Sequence, residues 1–329
     1  MTHLLDRLTV PIVQAPLAGG ASTPALAAAV SGAGGLGFLA AGYKTADAVA
    51  GEMDALGDAV YGVNVFVPGA GPVDPEDVDR YAERLRAEGH EPGEARHDDD
   101  HWQDKLALLL ERPPAVVSFT FGCPDESVVT AVREAGSEVW VTVTGAEEAR
   151  LAQWAGATAL VAQGVEAGGH RGSFADRGDL GLLALLALLG GPGAPLPLVA
   201  AGGIATAPTV AAVLAAGAKA AQVGTAFMRC PEAGTSEPHR EALAEPGLTS
   251  LTRAFSGRRA RGIENRFQRE HADAPEAYPE LHHLTAPIRA AGRERGDAEV
   301  LNLWAGQAHE LARAIPAADL VAELAAGVP

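Results

Sequence analysis

Short apolar segments alternate with longer segments rich in alanine, leucine and glutamate along the first two thirds of the chain. The longer segments carry helix signals, such as Ser22 or Thr23 as an N-cap before Pro24. The short segments are nearly continuous apolar runs, which is typical of parallel strands covered on both faces. Eight such repeats predict an α/β fold, a (β/α)8 TIM barrel, with a doubly wound open sheet as the alternative. The predicted strands are 12–16, 36–41, 61–67, 115–122, 138–145, 159–165, 197–203 and 220–227.

Two segments interrupt this repeat. Residues 90–114 lengthen the third crossover, and we expect an extra helix there that begins near Asp100. Residues 228–271 follow the eighth predicted strand and fit no barrel repeat, so we expect a helical cap over the face where barrels carry their active sites. The sequence therefore predicts a barrel of residues 1–227 and 276–329, including C-terminal helices, and a cap of residues 228–275.

Charge and cysteine content exclude several classes of function. The chain has 25 lysine and arginine residues against 42 aspartate and glutamate residues, a formal net charge of −17 that disfavours nucleic acid and anionic membranes. Cys123 and Cys230 are too few for a disulfide framework or a cysteine-rich metal site. No signal peptide and no apolar run of about 20 residues is evident, which predicts a cytoplasmic protein without membrane contact.

Polar and glycine residues follow the predicted strands at the face where barrels carry their sites. Gln14, Asn64 and Gln163 end three strands, and such neutral groups suit an uncharged ring edge better than a metal ion. The last two strands run into "AAGGIA" and "QVGTAF", whose glycine amides can surround a phosphate. Tight turns alone would also explain these glycines. The match of "GAGGLG" (32–37) to a dinucleotide fingerprint is discounted because it ends a helix and opens a strand.

The sixth predicted strand leads into "VAQGVEAGGHRG" (161–172), which places His170 directly after Gly168 and Gly169. Glycines let the main chain lie flat against a ligand, and the imidazole that follows can act as a base or a hydrogen-bond donor. A loop histidine bonded to a backbone carbonyl is the alternative. Histidines and aspartates in "RHDDDHWQD" (96–104) also suggest a metal site, but a solvated helix start is the preferred interpretation, so no metal is predicted.

Several segments resemble the nitronate monooxygenases of class I, formerly called 2-nitropropane dioxygenases. The resemblance covers nearly the whole chain. It is carried by "PIVQAPLAGGASTPALAAAVSGAGGLGFLAAGY" (11–43), "YGVNVF" (61–66), "VAQGVEAGGHRG", "AAGGIA", "QVGTAF", "YPELHHLTAPIRAA" (278–291) and "WAGQ" (304–307).

This resemblance implies an FMN-dependent oxidoreductase that oxidises alkyl nitronates, such as propionate 3-nitronate, with O2 to a carbonyl compound and nitrite. It implies His170 as the catalytic residue and Tyr278 as a cap residue near a nitronate or nitroalkane substrate. Leu17 stands where methionine is usual, and Ala226 where arginine is common. A homodimer is included among the expected assemblies. The implied FMN contacts are Gln14, Asn64, Gln163, Gly168, Gly169, Gly202, Gly203, Gln222, Val223, Gly224 and Thr225.

Two other functions remain open from the sequence. FMN-dependent enoyl-acyl-carrier-protein reductases, which consume NAD(P)H, share the barrel and a similar "EAGGH" loop. A flavin-free isomerase or lyase would use the glycine loops for the phosphate of its own substrate.

Overall fold

The structure, a computed structural model, describes residues 3–69, 73–190 and 195–328. Within these ranges all eight predicted barrel strands are confirmed, each between one and four residues shorter than the sequence suggested. The strands, including three that lie outside the barrel, are β1 (Ile12–Gln14), β2 (Gly37–Ala40), β3 (Tyr61–Phe66), β4 (Val116–Thr120), β5 (Glu138–Val143), β6 (Ala159–Gln163), β7 (Gly169–His170), β8 (Leu198–Ala201), β9 (Ala220–Val223), β10 (Thr249–Thr252) and β11 (Ala260–Ile263).

Eight of these strands form one parallel sheet in the order β1-β9-β8-β6-β5-β4-β3-β2. The two edge strands meet through a parallel bridge between Val13 and Leu36. The Gln14 amide donates to the Leu36 carbonyl at 2.9 Å, and the Leu36 amide donates to the Ile12 carbonyl at 2.9 Å. These contacts close the sheet into a barrel, so the open-sheet alternative is wrong.

Helices follow most barrel strands and begin at recognisable caps. The Thr23 side chain accepts from the Leu26 amide before Pro24, and Thr206 forms a capping box with Thr209. The helices are α1 (Pro24–Gly32), α2 (Ala46–Leu56), α3 (Pro75–Ala87), α4 (Trp102–Glu111), α5 (Glu126–Ala135), α6 (Ala146–Trp154), α7 (Leu182–Leu189), α8 (Ala207–Ala215), α9 (Glu237–Ala242), α10 (Arg266–Glu270), α11 (Glu280–Arg295) and α12 (Ala317–Ala325). No helix in the described ranges has the length and apolar character needed to cross a membrane.

Side chains on the barrel strands alternate between two hydrophobic layers, because successive residues of a strand point to opposite faces. Val13, Phe38 and Trp140 belong to the cluster that fills the barrel interior, which Leu4 and Leu5 close from below. Ile12, Leu39 and Val141 belong to the layer between strands and helices. Apolar side chains therefore fill the barrel interior beneath its carboxyl face, and the polar strand ends remain at that face.

The two irregular segments cover that face. The extra helix predicted near Asp100 is α4, and residues 228–271 contain the short helices α9 and α10. This cap also contains strands, which the sequence analysis did not predict: β10 and β11 form a second sheet with β7 in the order β10-β11-β7. Helix α11 packs with α3 and with Phe255 and Phe267 in a separate hydrophobic cluster. The proposed division into a barrel of 1–227 and 276–329 and a cap of 228–275 stays a prediction.

Candidate functional site

A cavity of about 480 Å³ opens above the carboxyl ends of the barrel strands. This volume is typical of sites for small molecules and cofactors. Leu17 and Ala226, which the resemblance marks as departures, also lie in its wall. The structure brings together ten of the residues proposed from the sequence, and these line the cavity: Asn64, Gln163, Gly168, Gly169, His170, Gly202, Gly203, Gln222, Gly224 and Thr225.

Three of the proposed residues lie elsewhere. Gln14 and Val223 are fully buried and point toward the helices, the same direction as Ile12. The Gln14 amide nitrogen donates to Ser22 Oγ at 3.0 Å, and its Oε1 accepts from the Phe38 amide at 2.9 Å. Tyr278 is not among the residues that line the cavity, and its ring makes edge contact with the rings of Phe121 and His170. Only backbone atoms at Gln14 and Val223 could therefore contact a ligand in the cavity.

Two strand-end amides differ in the hydrogen-bonding capacity they leave free. Asn64 Nδ2 donates to Ser118 Oγ at 2.9 Å and to Thr120 Oγ1 at 3.0 Å, whereas its Oδ1 has no partner among the described residues. Gln163 is used by its own loop, because its Oε1 accepts from the Arg171 guanidinium and from the Gly172 amide. Its Nε2 donates to the His170 carbonyl at 3.1 Å. Asn64 thus presents an acceptor to the cavity, and Gln163 mainly positions the His170 loop.

The glycine loops after β8 and β9 present backbone donors at one end of the cavity. Gly202 and Gly203 have φ values of +118° and +68°, a region that side chains other than glycine rarely adopt. In the described part of the chain, the amides of Gly202, Gly203 and Thr225 donate to no other protein group. Thr225 Oγ1 accepts from the Gly306 amide at 3.0 Å and ties this loop to the C-terminal segment. These half-buried backbone donors, which have no partner in the described part of the protein, favour an anionic ligand here.

His170 lies in β7, which pairs with cap strand β11 through Ala260. Its Nε2 is 2.8 Å from Ser256 Oγ. Desolvation by burial, reinforced by the positive charges of Arg258 and Arg289, lowers the pKa of His170 from 6.5 to about 3. The imidazole is therefore neutral throughout the physiological pH range.

An aromatic and basic wall surrounds His170, and Tyr278 is the one member of it that the sequence predicted near the substrate. The rings of Phe121, Tyr278 and Trp304 lie 5.7, 5.9 and 5.4 Å from the His170 ring. The Arg258 guanidinium lies over Phe121, 4.2 Å from the ring centroid. Arg258 belongs to no site predicted from the sequence, and Trp304 entered only as part of "WAGQ" (304–307). The positions of Arg258 and Trp304 depend on how the cap and the C-terminal segment fold over the barrel, which no local sequence pattern records.

Tyr43 completes this wall and is held by the inserted segment. It has a φ of +66°, its ring stacks on His282 at 4.0 Å, and its hydroxyl accepts from the Tyr278 hydroxyl at 3.3 Å. Asp100 Oδ1 accepts from the Tyr43 amide at 2.8 Å, and Asp100 Oδ2 forms a 2.7 Å ion pair with the fully buried Lys105. Burial, the largest effect on each, raises the pKa of Asp100 and lowers that of Lys105. The insertion thereby fixes one wall of the site.

The acidic run before α4 makes contacts within the protein. His97 Nδ1 lies 3.1 Å from Glu280 Oε1, and Asp98 Oδ2 lies 2.7 Å from His283 Nε2. Across the described residues there is no group of three or more histidine, cysteine, aspartate or glutamate side chains that could hold a metal ion. The run attaches the insertion to α11.

The cavity wall carries positive but not negative side chains. Arg289 and Arg293 line it, together with His170, His239 and His282, and no aspartate or glutamate does so within the described ranges. For a chain with a net charge of −17, this separation of charge is informative. A cavity of this composition attracts anions.

Comparisons with known proteins give matches that cover nearly the whole chain. The family model described as nitronate monooxygenase matches residues 2–327. A nitronate monooxygenase of Pseudomonas aeruginosa is 43% identical over 343 residues, covering 98% of this chain and 97% of that protein. The solved structure of a nitroalkane oxidase from Streptomyces ansochromogenes has a TM-score of 0.95 at 50% identity, covering 99% of this chain and 98% of that one. FabK from Thermotoga maritima is less similar, with a TM-score of 0.73 at 26% identity over 98% of this chain and 94% of its own.

Proposed function

Because this chain belongs to the nitronate monooxygenase family, we propose that it oxidises alkyl nitronates with O2, using FMN, to a carbonyl compound and nitrite. One observation carries this proposal: a neutral imidazole stands in a cavity that has arginines and free backbone amides but no carboxylate among the described residues. An electron-rich anion and a phosphorylated cofactor both suit such a cavity.

The residues present fit FMN. The amides of Gly202, Gly203 and Thr225 would hold the phosphate, since they have no partner in the described protein and their loops end neighbouring barrel strands. Asn64 Oδ1 and the Gln222 side chain would meet the polar edge of the ring system. Gly168 lines the cavity and would lie beside the cofactor, and its packing against the backbone of Ala305 and Gly306 on another side leaves no room for a side chain. When bound, FMN supplies the electron-transfer chemistry that no side chain of this site possesses.

The hydrogen bonds of His170 define its role. Ser256 Oγ can donate its single proton to the Arg258 carbonyl, 3.2 Å away, so that His170 Nε2 donates to Ser256 and Nδ1 remains an acceptor. An imidazole with a pKa of about 3 is a poor base for a neutral nitroalkane, because base strength falls with pKa. We therefore assign the nitronate anion as the substrate, with His170 placing it and Arg258 supplying positive charge.

The rings around His170 exclude water from the reacting atoms. Phe121, Tyr278 and Trp304 surround the imidazole, and the Arg258 guanidinium covers Phe121. In a poorly hydrated site, the attraction between a fixed positive charge and the substrate anion is stronger than it is in water. The cap contributes to this enclosure through Ser256 and Arg258.

The test is nitrite release from propionate 3-nitronate by the purified holoprotein, with O2 consumption followed in parallel. We expect equal amounts of nitrite and carbonyl product, and we expect His170→Asn to retain the flavin while its turnover falls. NAD(P)H oxidation dependent on an enoyl thioester, without nitrite from nitronates, would support the reductase alternative. Turnover of His170→Asn equal to the wild type would remove His170 from the mechanism.

We also propose a homodimer in the cytoplasm. Four exposed apolar side chains on the consecutive helices α6 and α7, Leu151, Trp154, Leu183 and Leu188, form the candidate interface. Exposed apolar side chains grouped on adjacent elements are typical of association surfaces. Light scattering on the purified protein measures this directly, and a mass equal to one chain would contradict it.

A further inference from the structure

The imidazole of His170 has no proton to donate to a substrate anion. Its Nε2 donates to Ser256 Oγ, 2.8 Å away, and its Nδ1 remains an acceptor. An acceptor nitrogen does not stabilise the oxygen atoms of a nitronate, which share the negative charge. An anion that enters a buried site needs hydrogen-bond donors in place of the water it leaves. The nitronate group therefore needs a donor from another side chain of the cavity.

The hydroxyl of Tyr43 is such a donor. Tyr43 lines the cavity, and its hydroxyl accepts from the Tyr278 hydroxyl at 3.3 Å, while its own proton has no acceptor among the described residues. Burial, the largest effect on both groups, raises the pKa of Tyr43 to about 12 and that of Tyr278 well above 10. Both hydroxyls are therefore protonated at neutral pH, and Tyr43 presents the free proton of the pair.

Several contacts fix the Tyr43 side chain in this position. Its ring stacks on His282 with centroids 4.0 Å apart, and Arg289 Nη2 donates to the His282 carbonyl at 2.8 Å. The ring of Phe66 makes an edge contact at 5.4 Å. Asp100 Oδ1 accepts from the Tyr43 amide and holds the backbone at a φ of +66°, which bulky residues rarely adopt. Backbone strain of this kind is concentrated at functional sites.

Tyr43 lies in the same positively charged part of the cavity as His170. The Tyr278 ring is 5.9 Å from the His170 ring, and the Tyr278 hydroxyl donates to Tyr43. The charges of Arg258 and Arg289 act on both sides of this wall: they oppose the effect of burial on the pKa of Tyr43 and add to the lowering of the pKa of His170. An anion placed beside His170 is therefore also close to the Tyr43 hydroxyl.

We propose that the Tyr43 hydroxyl donates a hydrogen bond to an oxygen of the nitronate group, and that Tyr278 is a positioning residue that acts through Tyr43. This inference rests on the proposed function and adds a catalytic residue to it. The phenol keeps its proton throughout, so the interaction is a hydrogen bond and no proton is transferred. The contact with the substrate is thereby assigned to Tyr43 and not to Tyr278, which is absent from the cavity lining within the described ranges.

The test is titration of the FMN-saturated protein with nitrate, followed by the absorbance of the flavin. Nitrate is a planar anion with its charge on oxygen atoms, as in a nitronate, and its binding needs no turnover. Loss of a hydrogen bond to a charged group corresponds to about a 10-fold to 100-fold change, so the nitrate dissociation constant should rise by that factor in Tyr43→Phe. In Tyr278→Phe it should rise only about 2-fold, because Tyr43 keeps its proton and loses only a polarising neighbour.

Tyr81→Phe is the matched control. The Tyr81 hydroxyl donates to the Ala254 carbonyl at 2.7 Å, and its buried ring belongs to the separate hydrophobic cluster of α3 and α11. This substitution also removes one buried hydroxyl, but away from the cavity, so the nitrate dissociation constant should equal that of wild type. The FMN dissociation constant should be the same in all four proteins.

Turnover gives a second measurement. In Tyr43→Phe, KM should rise by the same factor for ethyl nitronate and for propionate 3-nitronate, because both carry the group that Tyr43 binds. Factors that differ between the two nitronates would mean that Tyr43 contacts the rest of the substrate, and would overturn the inference.

The nitrate titration can contradict the inference in three ways. Wild type that binds no nitrate, or an unchanged dissociation constant in Tyr43→Phe, would remove the proposed donor. A loss in Tyr278→Phe as large as that in Tyr43→Phe would show that Tyr278 itself contacts the anion. A larger loss in Trp304→Phe would assign the donor to the indole N–H on the same wall. Absence of nitrite from both nitronates in wild type would instead contradict the proposed function, and the nitrate titration would still decide the role of Tyr43.

Discussion

Replacing His170 by asparagine should change how the stability of the protein depends on pH. The folded protein holds the pKa of this imidazole at about 3, against 6.5 for a free side chain. The unfolded chain therefore binds more protons between those values, and folding stability is lost as the pH falls from about 6.5 toward 3. At pH 7.5 the effect is nearly absent. At pH 5 the difference is about 1.5 pH units, or roughly 2 kcal/mol at 1.36 kcal/mol per unit.

The assay is urea unfolding of wild type and His170→Asn, both saturated with FMN, at pH 7.5 and pH 5. Relative to wild type, the variant should gain about 2 kcal/mol of unfolding free energy on going to pH 5, because asparagine does not titrate. The figure requires only that the folded pKa lie well below 5. An identical pH dependence for the two proteins would mean that His170 is protonated in the folded state, and the argument for a nitronate over a nitroalkane would then be wrong.

Two further substitutions test separate parts of the site. Gly203→Ala and Gly217→Ala both place a side chain at a positive φ, which costs about 1–2 kcal/mol. Only Gly203→Ala displaces a proposed phosphate donor, so FMN affinity should fall about 10-fold in that variant alone. Equal FMN affinities in the two variants would remove the Gly203 loop from the cofactor site. Asp100→Asn leaves Lys105 buried without a counter-charge, so the unfolding free energy measured in urea should fall by about 3–5 kcal/mol. The control Asp99→Asn, at an exposed position, should change it little. Similar unfolding free energies for the two variants would show that the Asp100–Lys105 ion pair does not stabilise the fold.

The barrel was predictable because parallel strands buried on both faces appear as continuous apolar runs, which the structure confirms at all eight positions. The cap strands were not predictable in the same way. Thr249–Thr252 and Ala260–Ile263 contain few apolar residues, and β11 is stabilised by pairing with Gly169 and His170 of a distant loop. Local pattern carries no information about such a partner.

Within the site, the type of residue at each strand end was easier to predict than the direction in which its side chain points. Gln14 and Gln222 are both strand-end glutamines, yet Gln14 points toward the helices with Ile12, while Gln222 lines the cavity. The alternation of side chains decides this, and a shift of one residue in register reverses it. Arg289 and Tyr43 were missed because a stacked histidine, an inserted loop and a helix from the C-terminal region bring them together only in the folded chain.

The most direct test of the account is the identity and amount of flavin in the purified protein. Acid denaturation should release FMN in a ratio of about one per chain, and the yellow colour should return when the flavin-free protein is mixed with FMN. A colourless protein that binds no added FMN would contradict the assignment of the glycine loops as a phosphate site and, with it, the proposed reaction.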